Sequence, residues 1–96
     1  MAALDDLLDE EYRRLIRMKV ALEREFGELP KGYIARKTIR GKTYNYLQWR
    51  EGGSVKSKFI SEDDIADMLK KINRRKQLAG SLKDINATIK KLEKVK

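Results

Sequence analysis

The sequence predicts an α+β fold: an N-terminal helix, a three-stranded antiparallel β-meander and a long C-terminal helix packing antiparallel on the first. Three observations predict it. Apolar residues recur at steps of three or four over residues 4–26 and again over 65–92. Between these stretches, residues 31–60 hold three β-prone runs separated by Arg40-Gly41 and by Gly52-Gly53. Charged residues make up 40% of the 96-residue chain, against a typical ~25%, the excess expected of long helices with one wet face. One domain is expected over 1–96, with helix over 1–28, meander over 31–60, and a basic helix or helix pair over 61–96.

In the first helix, Leu4, Leu8, Tyr12, Leu15, Met18, Leu22 and Phe26 form one stripe. Leu7, Ile16 and Val20 lie beside it and widen the apolar face. Asp5, Asp6, Asp9, Glu10 and Glu11 crowd the start, where the helix dipole favours negative charge. Gly27 suits a left-handed closing residue, and Pro30 prevents resumption.

For the meander, two-residue turns fix the register. Ile39 is placed opposite Lys42, Ala35 opposite Tyr46, Tyr33 opposite Gln48, Arg50 opposite Val55 and Tyr46 opposite Phe59. Alternation then sorts the side chains into two faces. Tyr33, Ala35, Ile39, Tyr44, Tyr46, Val55 and Phe59 form one, and it is expected to be the core. Ile34, Arg36, Thr38, Thr43, Asn45, Leu47, Trp49, Lys56, Lys58 and Ile60 form the other, expected to be wet.

Ser61 and Asp64 fit a capping box, and Ile60 with Ile65 a hydrophobic staple, so the last helix is expected to start at Glu62. Its apolar residues fall into two sets, Ile65, Met68, Leu69, Ile72 and then Leu78, Leu82, Ile85, Ile89, Leu92. The sets are out of phase by roughly a third of a turn at ~100° per residue. The first is assigned to the meander and the second to helix 1, with a bend or break expected at Gly80. The antiparallel match would bring Lys90, Lys91, Lys94 and Lys96 to the acidic start of helix 1.

Composition excludes several functions. The chain has no cysteine and no histidine. A thiolate metal site, a disulfide framework and the commonest general base at neutral pH are therefore ruled out. Asp63 and Asp64 sit where capping explains them, and no serine has a histidine to activate it. No catalytic residue, metal site or cofactor is expected, nor an enzyme. No apolar run approaches the ~18 residues of a membrane span, and no signal-peptide pattern opens the chain, so a soluble cytoplasmic protein is expected.

Charge points to binding. The formal net charge is +8. Residues 1–30 carry five basic and eight acidic side chains, residues 31–60 eight and one, and residues 61–96 ten and six. Concentrated positive charge attracts polyanions. Arg36, Lys56 and Lys58 would share the wet ribbon face with Trp49 and Asn45, offering phosphate contacts, a stacking ring and an amide for a base edge. Lys71, Arg74, Arg75 and Lys76 form a second basic patch on the last helix. The plainer account is lysine guarding an exposed strand edge and a solvated helix surface.

The segment from Gly32 to Ile60, GYIxxKxIxGKxYxYLQxRxGGxVKSKFI, resembles a group of small uncharacterised bacterial and phage proteins built as helix, glycine-punctuated meander and long basic helix. Related forms can carry cysteines in the meander, and this sequence has none, so no metal site is implied. The resemblance implies a mobile-element product, a class that includes DNA-binding accessories, antitoxin-like partners and anti-CRISPR inhibitors. Nucleic acid, DNA or RNA, is the expected partner. A nucleic-acid-bound protein such as a CRISPR nuclease is the alternative, and a homodimer or larger oligomer through the helix seams a second one.

Overall fold

The computed structural model describes residues 2–95, with side chains from residue 4. Its elements are α1 (Ala2–Glu28), β1 (Tyr33–Ile39), β2 (Lys42–Glu51), β3 (Ser54–Ile60) and α2 (Glu62–Val95). The α+β layout is therefore the one expected. Two compact units make up the chain: α1 with α2 from Lys76 onward, and Leu29–Arg75. The final residue, Lys96, expected opposite the acidic start of α1, lies outside the described residues.

In the helical unit, Leu15, Ile85 and Ile89 are buried together, with Tyr12, Ile16, Leu22 and Leu92 packed on them. Leu78 is also in this unit and is the most deeply buried side chain described, at 1% exposure. Asp5, Leu8 and Asp9 line one cleft with Val95, so the start of α1 meets the end of α2 and the pair runs antiparallel. The covered stripe of α1 departs from the expected one. Leu4 and Met18 are exposed, and the partly covered Lys19 takes the inward step between Leu15 and Leu22. On the solvent side Arg14 Nη2 and Nε donate to Glu11 at 2.6 and 2.9 Å. That hydrogen bond, more than charge proximity, holds the Glu11 carboxyl below the usual carboxylate range.

Gly27 does not close α1: it is helical, and the helix ends one residue later at Glu28. The positive φ falls instead at Gly32, at 117°.

In the second unit, the order β1-β2-β3 and every expected pair are present. Arg40 and Gly41 have φ of 52° and 81°, and Gly52 and Gly53 57° and 83°. Positive φ at both central residues is the geometry that matches the right-handed twist of a tight hairpin.

The faces are reversed from the expectation. Leu47 and Ile60 are buried with Ile72 of α2, and Ile34, Trp49, Ile65 and Met68 pack on them. The side carrying Ile34, Leu47, Trp49 and Ile60 is therefore the core side. Tyr33, Ile39, Val55 and Phe59, expected inside, are exposed. Two physical reasons combine. Burying three tyrosines would leave three hydroxyls needing partners, each costly if unpaired. And the staple puts Ile60 on the same side as Ile65, which fixes the whole alternating face.

The start of α2 is as expected. Asp64 N–H donates to the Ser61 carbonyl and Ser61 Oγ to Asp64 Oδ2, each at 3.1 Å. The helix then runs unbroken through Gly80, which is exposed and helical. Its covered positions are 65, 68, 72, 75, 78, 82, 85, 89 and 92. Two consecutive steps of three around Arg75 interrupt the alternation of three and four, which rotates the apolar stripe without breaking the helix. Leu69, placed in the first set, is exposed.

Candidate nucleic-acid interface

The uncovered face of the sheet is built by alternation from all three strands. Tyr33, Gln48 and Ser57 form one cross-strand row, and Ala35, Tyr46 and Phe59 the next. Lys37 stands beside Tyr44, Ile39 beside Lys42, and Arg50 beside Val55. The result is a surface of aromatic rings and cations.

Contacts among the rings hold them in place. Phe59 meets Tyr46 and Tyr44 edge-on, with centroids 5.9 and 6.2 Å apart and planes inclined at 69° and 62°. Such edge-to-face pairs contribute roughly 0.5–1.5 kcal/mol beyond area burial. Lys37 Nζ sits 5.0 Å above the Tyr46 ring, a cation–π distance. The Tyr33 hydroxyl donates to Gln48 Oε1 at 2.8 Å. Tyr33 and Phe59 remain 57% and 54% exposed, so both rings are fixed in orientation yet open to a ligand.

The electrostatics are one-signed. Glu51 is the single acid between residues 31 and 60. It shares the helix-facing side with Trp49 and accepts the indole Nε1–H at 3.2 Å. Lys37, Lys42 and Arg50 therefore stand on the outer face with no carboxylate from the sheet beside them, and Arg40 adds a charge at the first hairpin tip.

The residues expected to form the site are distributed differently. Trp49 is half-buried in the core cluster and is no stacking platform. Asn45 is half-buried on the same side, its Oδ1 enclosed without a hydrogen-bond partner, so the amide is not displayed for a base edge. Arg36, Lys56 and Lys58 are exposed, but they stand on the helix-facing side with Leu47 and Trp49, and Arg36 lies on β1 and the two lysines on β3, about 10 Å apart across β2. On α2, Lys71 is exposed and pairs with Asp67 at 3.0 Å, and Arg74 is exposed. Arg75 is partly covered and donates from Nη1 to the Leu29 carbonyl at 3.0 Å, a structural tie between α2 and the α1–β1 link. Because α2 packs on the inner side of the sheet, over Leu47 and Ile60, Lys71 and Arg74 lie away from the aromatic face. Lys76 is exposed and belongs to the helical unit.

Tyr33, Lys37, Lys42, Tyr44, Tyr46, Arg50 and Phe59 lie outside the site expected from sequence, which assigns Tyr33, Tyr44, Tyr46 and Phe59 to the core. The signal that identifies them is the staple: once Ile60 is inside, Phe59 and its cross-strand neighbours are outside. Among the described residues, no helix is long and apolar enough to cross a membrane.

The family described as Domain of unknown function (DUF6788) matches residues 8–71, well over half of the chain, and the chain belongs to that family. The match spans most of α1, the whole sheet and α2 as far as Lys71. No curated protein and no solved structure matches the chain.

Proposed function

We propose that this family member is a non-enzymatic nucleic-acid-binding protein, and that the outer face of its sheet is the contact surface. The observation that carries the proposal is charge of one sign on that face: Lys37, Lys42 and Arg50, with Arg40 at the tip and the lone sheet acid on the opposite side. A polyanion gains from such a surface by releasing its counterions, and the acid nearest to it is Glu62 at the start of α2, which lines the cleft beside Lys42 and Phe59. Self-association through the same face would press like charges together, so a second copy of the chain fits it less well. Arg36, Lys56 and Lys58 stand on the opposite, helix-facing side and add only to the overall positive charge.

The test is titration of the whole protein against single-stranded DNA, duplex DNA and RNA at several salt concentrations. Four phosphate contacts predict a slope of log affinity on log salt of roughly −3 to −4. The pair Lys37→Gln and Lys42→Gln is expected to flatten that slope by about 1.5–2, while Lys71→Gln, away from the face, leaves it unchanged. Absence of binding at low salt to all three polymers overturns the proposal.

A further inference from the structure

Resting on that reading, we infer that the sheet takes an unpaired strand, whose bases lie against Phe59 and Tyr33. In a regularly stacked duplex the flat faces of the bases are occupied by their neighbours, and a protein reaches phosphates and base edges. A ring displayed on a sheet can stack there only by unstacking a base step, at a cost of about a few kcal/mol. In a single strand every base offers a flat face, and aromatic platforms flanked by cations take it with little regard to sequence.

The geometry matches this in three ways. Phe59 and Tyr33 are more than half exposed and are already held, one by two edge-on tyrosines and the other by its hydroxyl on Gln48, so little side-chain freedom is lost on binding. They stand on opposite edge strands and one row apart on the face, a separation on the order of 12 Å. That far exceeds the ~3.4 Å rise between stacked neighbours, so the two bases they take belong to a splayed strand crossing the sheet diagonally. Between them lies Tyr46, its ring covered by the Lys37 ammonium, which leaves a cation and no stacking surface at the middle of the path, the place a phosphate would pass. Phe59 also walls a cleft of about 370 Å³ with Lys42, Tyr44, Asn45 and Ile60, at the end of the sheet where β2 runs past β3; Glu62 lines it too, so the cleft suits an uncharged base rather than a phosphate. This gives a base at Phe59 room beyond the edge strand.

The experiment measures fluorescence anisotropy with a labelled 12-nucleotide single strand, as DNA and as RNA, and with the duplex of the same sequence. It uses the whole protein, Phe59→Ala and Tyr33→Ala. Both positions are exposed, and circular dichroism checks that the variants keep the native fold. The single strand is expected to bind at least tenfold more tightly than the duplex. Each substitution is expected to weaken single-strand binding by roughly 5- to 100-fold while leaving the salt slope unchanged, because stacking releases no counterions. Equal affinity for strand and duplex, or no loss in either variant, overturns this inference and leaves binding through phosphates intact. No binding to any polymer removes the underlying nucleic-acid reading instead. A concentration-dependent dimer that Phe59→Ala returns to monomer would assign the face to a second copy of the chain and overturn the inference as well.

Discussion

Phe59 faces water while Trp49, three residue pairs along the sheet and on its other side, is packed under α2. Apolarity alone does not separate them. Trp49 carries one polar atom, and Glu51 accepts it, so its indole can be covered at little cost. Phe59 is excluded from the core by its neighbour Ile60, which the cap of α2 holds inward. Gly32 shows a stricter residue-level constraint. Its φ is 117°, and an added Cβ would overlap the Gln48 carbonyl oxygen, a backbone atom that cannot swing aside. Gly32→Ala is therefore expected to destabilise the protein by about 3 kcal/mol or more, combining a disallowed backbone with overpacking. Urea denaturation measures this, and an unchanged midpoint would show that the entry to β1 relaxes freely. The requirement is only half legible beforehand: glycine after Pro30 reads as a turn, but the carbonyl it must clear comes from β2, fifteen or more residues away in sequence.

At the scale of elements, the strands and helix bounds were readable because they rest on local chemistry. Two-residue turns with glycine second determine the pairing, and pairing determines which side chains share a face. Which face is wet is a different kind of question, answered by what packs against it. A tally of apolar residues favours the tyrosine side; hydroxyl satisfaction and the Ile60–Ile65 staple favour the other, and they prevail. In α2 the expected weak point at Gly80 is helical and exposed, with nothing within 4 Å of an added Cβ. Gly80→Ala is accordingly expected to raise stability by about 0.5–1 kcal/mol through reduced unfolded-state freedom. A higher urea midpoint with an unchanged slope checks it. A loss of stability would mean that the helix needs to flex there. The change of face occurs earlier, at the doubled three-residue step around Arg75, whose guanidinium bonds the Leu29 carbonyl.

For the whole molecule, the net charge of +8 acts on folding and on binding in opposite directions. Self-repulsion destabilises a compact chain, and salt screens it, with a Debye length of about 10 Å at 0.1 M. Raising sodium chloride from 20 to about 300 mM is therefore expected to raise the melting temperature by a few degrees, while lowering nucleic-acid affinity over the same range. Differential scanning calorimetry beside the binding titration reads both. A falling melting temperature would show that the described ion pairs, such as Glu11–Arg14 and Asp67–Lys71, outweigh the repulsion. One helix, α2, supplies the apolar residues of both compact units, Ile65, Met68 and Ile72 to one and Leu78, Ile85 and Ile89 to the other.

The sequence by itself determined the order of elements, the strand register, the two tight turns and the cap that starts α2, because each depends on residues close together along the chain. Only the tertiary structure decided which side of the sheet meets the helix, and with it which aromatic and basic residues are left in water. That choice depends on satisfying hydroxyls and filling a core with groups from distant positions, and no local pattern contains it.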